Sequence, residues 1–379
     1  MSYTTIPDKV KFQIWLRAGG RCEYRGCNEP LWKDQLTLVA MNRAYLAHII
    51  ADSPHGPRGH PVLSNQLKDD PSNIMLLCDT HHRLVDREQI DQHPIDLLRQ
   101  YKQEHEERVE RQTGIQTNLR THILLFGTQI GDRRGFVNYE QAHETVLPER
   151  YPADEVGIRV NLSDIDIDEN DPEFWSIVQT TVTKRLQLAL GQGIGPSGKP
   201  LNHFSIFALA PIPALIVFGA QLGDIISADV YQRHRDTQDW KWKNLRDQDF
   251  NYIIIRPDLG VPPSQQIALN LSLSGNINES EIEQAIGQKI PTYKITLVQP
   301  HRDFLQAKEQ LELFRGEWLN LLSEIREKHG EKCEIHLFPA IPNSIAVEIG
   351  RCLFPKVDPT IIVYRLCKKD GCFKRTLTI

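Results

Sequence analysis

Asn73-Ile-Met-Leu-Leu-Cys78-Asp-Thr-His81-His82 is the stretch on which the reading of this chain turns. Its apolar half, residues 73–78, reads as a strand, and Asp79 can cap a helix running on through His81, His82 and Asp86. Cys78 and His81 stand at C-x2-H spacing, and well upstream Cys22-Glu-Tyr-Arg-Gly-Cys27 sets two further thiols in a C-x4-C turn. Soft thiolates plus one imidazole, four donors with no open position, describe a structural zinc site at Cys22, Cys27, Cys78 and His81. Pro7, Val10, Ile14 and Trp15 predict a helix that Gly19-Gly20 stops just before Cys22. On the second helix His82 points about 100° away from His81, so it can serve another ion. Asp86 follows on the same face, one turn later.

Between the paired ligands, Tyr45-Leu-Ala-His48-Ile-Ile reads as a strand ending near His48, and residues 52–72 form a loop rich in Pro, Gly, His and Asp. The order is strand, loop, strand, helix. Histidine and cysteine usage agrees with a metal-rich segment: His48, His55, His60, His81, His82, His93 and His105 are half of the 14 histidines, and after Cys78 no cysteine recurs until Cys333. Residues 94–113 form a charged amphipathic helix with Ile95, Leu98, Tyr101, His105 and Val109 on one face, suited to a connector or a dimer contact.

These residues resemble the HNH endonuclease family, with His48, Asn73 and His82 in the name-giving positions. The resemblance implies a ββα-metal fold in which His48 is the general base, Asn73 fixes the loop around it and His82 holds Mg²⁺ or a similar ion at the scissile phosphate. An imidazole with a pKa near ~6.5 can take a proton at physiological pH, and a divalent ion stabilises developing charge, so the chemistry is coherent. Many members carry a metal-binding Asp directly before the base, where this chain has Ala47. Asp86, ahead of Asp52, is the candidate to replace it.

From Leu119 onward strands and helices alternate, the pattern of a parallel sheet covered by helices. An internal repeat is visible: Phe207, Pro211 and Gly219 recur in the same register as Phe338, Pro342 and Gly350. Strands at 122–126 and 156–162 answer strands at 268–273 and 294–298, and each half then carries a helix with one tryptophan, Trp175 or Trp318. Loops at the C-terminal ends of parallel strands form the crevice in which such folds bind ligands. The candidates there are Thr128, Gln129, Arg133 and Arg134 in the first half, and Ser274, Asn276, Pro339, Asn343 and Ser344 in the second. Trp240, in a charged stretch over 233–249, is either a stacking platform at the pocket mouth or the anchor of a surface loop.

The second region is similar to the SAVED family, a fusion of two CARF-like units that binds cyclic oligonucleotide second messengers in bacterial CBASS antiphage systems. Residues 335–350 carry the likeness, followed by Asp358-Pro-Thr-Ile-Ile-Val-Tyr364. The whole chain thus resembles the HNH-SAVED effectors. The implied fold is an α+β ββα-metal, zinc-containing HNH domain over 1–93, a connector helix over 94–118, and over 119–379 an α/β SAVED domain of two Rossmann-like units, about 119–250 and 251–379. The implied function is a metal-dependent endonuclease acting on double-stranded DNA. A cyclic oligonucleotide, a dinucleotide in preference to a trinucleotide, switches it on by driving homo-oligomerisation of dimers to a tetramer. A restriction nuclease whose C-terminal region reads modified DNA and a non-catalytic nucleotide sensor are the rivals.

Composition sets the outer bounds. Of 379 residues, 40% are hydrophobic and 25% charged, with a formal net charge of −5, the balance of a globular protein whose nucleic-acid contacts must be local patches. A mean hydropathy of −0.40 and the lack of a long apolar run argue against a membrane protein. Seven cysteines, with no basic-then-apolar leader, lead to the expectation of a reducing cytoplasm and no disulfide framework.

Overall fold

The computed structural model describes residues 5–114, 119–127, 129–130, 133–134, 137–162, 171, 173–244, 250–258, 262–354, 357–367 and 369–379. The chain divides into two compact units, Met1–Gln116 and Thr117–Ile379. Among the described residues no helix is long and apolar enough to cross a membrane.

In the first unit, α1 (Asp8–Arg17) follows Pro7, whose fixed φ suits a helix start, and the left-handed Gly19 and Gly20 turn the chain toward Cys22. β1 (Tyr45–His48) pairs antiparallel with β2 (Ile74–Leu77), His48 opposite Ile74. A short helix, α2 (Leu63–Gln66), lies in the long loop between them. After β2 the chain enters α3 (Asp79–Arg83), which widens into a π-type turn over Leu84–Glu88. α4 (Ile95–Thr113), predicted from sequence as a connector, belongs to this unit. It buries Leu98, Lys102, His105 and Glu106; His105 Nε2 donates to Ala18 O at 2.9 Å, and Lys102 pairs with Glu106 at 2.5 Å and Glu23 at 3.6 Å. Burial pushes the Glu23 carboxyl up to about 7.

The second unit holds two larger sheets. In the first, β3 (Arg120–Gly127) lies between β7 (Ile158–Asn161) and β8 (His203–Leu209), with β9 (Ser227–Tyr231) outside β8, all parallel. The short hairpin of β4 (Gln129–Ile130) and β5 (Arg133–Arg134) follows β3, and β6 (Tyr151–Pro152) pairs with the start of β3. Its helices are α5 (Tyr139–Val146), α6 (Phe174–Leu190) and α7 (Ile212–Leu222). In the second sheet, after β10 (Ile253–Ile255), β11 (Gln266–Ser272) lies between β12 (Thr292–Thr296) and β13 (Glu334–Ala340). β14 (Thr360–Cys367) extends it in parallel, while β10 and β15 (Cys372–Thr378) are antiparallel edges. The covering helices are α8 (Glu279–Ile286), α9 (Lys308–His329) and α10 (Asn343–Arg351). Each sheet contains a parallel run in the order second, first, third, fourth: β7-β3-β8-β9 and β12-β11-β13-β14. Their central strands are buried nearly throughout, as strands covered on both faces must be, which is why they read as apolar runs without alternation.

The two repeat glycines explain the close approach of α7 and α10. A Cβ on Gly219 would run into the carbonyl oxygen of Val347, and one on Gly350 into that of Ile216, so the helices meet backbone to backbone. Gly350→Ala is therefore expected to destabilise the second unit by about 1–3 kcal/mol through overpacking. Denaturant unfolding checks this, and wild-type stability would contradict the contact.

Candidate functional site

Cys22, Cys27, Cys78 and His81 converge from the turn after α1 and the start of α3, with one ligand atom of each lying within 4.8 Å of the others. The turn is held locally: Glu23 N donates to Leu76 O at 2.9 Å and Leu76 N to Glu23 Oε2 at 2.5 Å, stitching the C-x4-C segment to β2. His81 Nδ1 faces Cys78 Sγ at 3.0 Å, so this is the nitrogen turned into the cluster. Tyr24 stacks on the His81 ring at 4.1 Å and hydrogen-bonds His93 Nε2 at 2.9 Å; His93 Nδ1 in turn donates to Gln89 O at 2.8 Å. The hydrogen bond between the Cys22 and Cys78 thiols pushes Cys22 up and draws Cys78 down to about 5; burial raises Cys27. Three thiols this close cannot all ionise against one another without a cation, and a soft ion with four-fold coordination answers that need. The donor set fits zinc, held by Cys22, Cys27, Cys78 and His81.

His48 ends β1, nearly buried, with Nε2 2.8 Å from Lys68 O. A carbonyl can only accept, so Nε2 carries the proton and Nδ1 keeps a lone pair. Asn73, buried at the head of β2, accepts from Ile50 N at 2.9 Å and donates to Ile50 O at 2.9 Å and Leu67 O at 3.2 Å. It clasps the chain on both sides of the loop, which holds His48 and the Lys68 carbonyl in register.

His82 lies on α3 with its ring stacked on Tyr45 at 4.6 Å and its Nε2 3.3 Å from Asp86 Oδ2. The other Asp86 oxygen accepts from Arg58 Nη2 at 2.6 Å. Burial works against its charge, yet the hydrogen bonds from His82 and Arg58 hold Asp86 below the usual carboxylate range. The sequence offered Asp86 as the ligand that Ala47 lacks; here both of its oxygens are already committed to protein donors. Asp52, the reserve candidate, joins no gathered donor set: among the described residues the zinc-type cluster is the one group of three or more such side chains. Among the described residues no partner of His82 Nδ1 is found.

Arg58 is the residue that sequence reasoning missed. It reads as one more cation in a polar loop, but it sits at a left-handed φ of 58° with its guanidinium turned inward. Nothing local announces that direction. His60 Nδ1 accepts from Val62 N and Leu63 N at 3.2 Å, at the start of α2.

In the second unit, the C-terminal strand ends bring several expected pocket residues together. Ser344 Oγ donates to Gln232 Oε1 at 2.8 Å and Asn343 Nδ2 to Ala208 O at 3.4 Å, tying the start of α10 to the ends of β8 and β9. Ser274 N donates to Ala340 O at 2.7 Å, beside Pro339, which belongs to β13 and not to the turn after it. Asn276 is directed to Lys294, whose Nζ donates to its Oδ1 at 2.9 Å. Thr128 lies outside the described residues; Gln129, Arg133 and Arg134 lie in the β4–β5 hairpin, where Gln129 is opposite Arg134. Trp240 needs correction. Its indole is 1% exposed and packs edge-on to Phe207 at 5.2 Å, so it is a core anchor with no face left for a base.

Comparison with known proteins follows this division. A family model described as the SMODS-associated and fused to various effectors sensor domain (SAVED) matches residues 190–379, half of the chain. A model described as HNH endonuclease matches residues 33–90. No curated protein matches. Among solved structures, the Acinetobacter baumannii Cap4 SAVED/CARF-domain containing receptor with the cyclic trinucleotide 3'3'3'-cAAA is 13% identical, with a TM-score of 0.44. The same receptor with 2'3'3'-cAAA is 15% identical, with a TM-score of 0.43. The alignments cover 83% and 84% of this chain but 66% of each receptor, just short of two thirds. The Moraxella osloensis Cap4 receptor is 11% identical over 83% of this chain and 69% of its own, at a TM-score of 0.41. The preference for a dinucleotide is overturned: the related receptors solved with a ligand hold cyclic trinucleotides.

Proposed function

This chain belongs to the SAVED family, with an HNH endonuclease domain ahead of the sensor, and from that premise we propose that it is a cyclic-oligonucleotide-activated DNA endonuclease of CBASS-type defence. The observation that carries the reading is the fixed tautomer of His48, whose Nε2–H is tied to Lys68 O beside the Asn73 clasp. That arrangement is what a general base requires. As water attacks phosphorus, His48 Nδ1 takes its proton, the bond to the leaving sugar oxygen breaks, and that oxygen is protonated in turn. A divalent ion, when bound at His82, would offset the charge gathering on the phosphate.

The sensor reading draws on the C-terminal ends of β8, β9 and β13, where Asn343 and Ser344 at the start of α10 meet Ala208 and Gln232. The matching strand orders of the two sheets support a duplicated pair of Rossmann-like units. Double-stranded DNA is the substrate and a cyclic trinucleotide the favoured ligand class. Association of dimers into a tetramer is the simplest means of activation, since HNH domains held together engage one duplex at raised effective concentration. Plasmid cleavage against a panel of cyclic oligonucleotides, with light scattering on the same samples, tests this. Asn343→Ala with Ser344→Ala is expected to lose ligand binding, mass increase and cleavage together. A nuclease indifferent to the whole panel would sink the reading in favour of modified-DNA restriction.

A further inference from the structure

Arg58 bridges the two halves of the nuclease site. Its guanidinium, with 6% of the side chain exposed, donates from Nε to Ile49 O at 2.7 Å, from Nη1 to Val85 O at 2.8 Å and from Nη2 to His48 O at 3.4 Å and Asp86 Oδ1 at 2.6 Å. Two of these acceptors lie at the end of the base-bearing strand β1 and two in the turn that continues α3. One planar cation with donors in a fixed fork thus sets the spacing between the two elements. A lysine, a point charge with no fork, could not make the same set.

Asp86 is the far end of that bridge. Its Oδ1 is taken by Arg58, and its Oδ2 faces His82 Nε2 at 3.3 Å. A carboxylate can only accept, so the proton of the neutral imidazole is drawn to Nε2 and the lone pair is left on Nδ1. Metal-binding histidines commonly donate their second ring N–H to a carboxylate in this way, which fixes both tautomer and ring orientation. Stacking on Tyr45 restrains the remaining rotation. We propose that Asp86 is not a ligand of the catalytic ion but a positioning residue: held by Arg58, it orients His82 so that Nδ1 is presented to the ion and the phosphate. The proposal rests on the nuclease reading and replaces the role that sequence gave Asp86.

The test begins without metal at the catalytic site or substrate. In the zinc-loaded full chain labelled with ¹⁵N-histidine and held at alkaline pH, His82, assigned by difference with His82→Gln, should be found mainly in the Nε2–H form. Asp86→Ala should shift that population, and so should Arg58→Ala. Finding His82 in the Nδ1–H form in the unmodified chain would overturn the proposal. Ligand-activated cleavage supplies the second readout: Arg58→Ala and Asp86→Ala should each lower the rate by about 10- to 100-fold, and the double variant no further than the worse single one. A direct ligand would behave otherwise, with Asp86→Ala raising the Mn²⁺ requirement while Arg58→Ala left it alone, and that outcome also overturns the proposal. Because Arg58→Ala can loosen the fold, its zinc content is measured alongside, and Asp86→Asn, nearly isosteric, repeats the tautomer measurement. Should His82→Ala still cleave DNA, the proposal would fall with the role of His82, whereas a parent chain that cleaves no DNA with any ligand would sink the nuclease reading and leave the tautomer result standing by itself.

Discussion

His48→Ala is expected to lower ligand-activated DNA cleavage by about 10²- to 10⁴-fold, the range that loss of a general base produces. Zinc content and nucleotide binding should stay as they were, because His48 is not one of the Cys₃His donors and the expected ligand-binding residues belong to the other unit. The ring's hydrogen bond, Nε2 to Lys68 O, costs on the order of 1 kcal/mol when removed, too little to unfold the unit. Cleavage is read on supercoiled plasmid, with zinc measured on the same preparation. A variant that keeps more than a tenth of the wild-type rate would take the base role from His48. His82→Ala should fall as far, by losing the one expected catalytic-ion ligand that is still uncommitted.

The second large effect concerns the frame. Cys22→Ser or Cys78→Ser should release the zinc and unfold the first unit, because structural zinc contributes on the order of 10 kcal/mol to a small metallo-domain, about as much as a whole domain's net stability. The loss also reaches Tyr24, which stacks on the His81 ring and hydrogen-bonds His93. The second unit has its own core, from Phe126 through Trp318 to Val363, and should go on unfolding as before. Two unfolding transitions in the parent chain and one in the variants are the expected calorimetric result. A zinc-free purified parent chain would remove the tetrahedron altogether.

Short-range chemistry was legible in the sequence. The C-x4-C and C-x2-H spacings are local constraints on where two donors can point, and they led to the four residues that converge within 4.8 Å. Periodicity and apolar runs located β1, β2, α4 and the buried parallel strands, since burial on both faces of a sheet leaves its mark residue by residue. The register of Gly219 with Gly350 was visible too, but not its use, which is a backbone contact between two helices.

What only the tertiary structure decided is which partner each polar or aromatic side chain finds across long stretches of chain. Arg58 and Asp86 look like any loop cation and helix-face acid; folding brings them to 2.6 Å of each other. Trp240, among charged neighbours, reads equally as a stacking platform or an anchor until Phe207 and Tyr231 are seen to pack with it. Residue type and spacing fix what a group can do chemically, whereas the donors and walls around it are set by packing between segments remote in sequence.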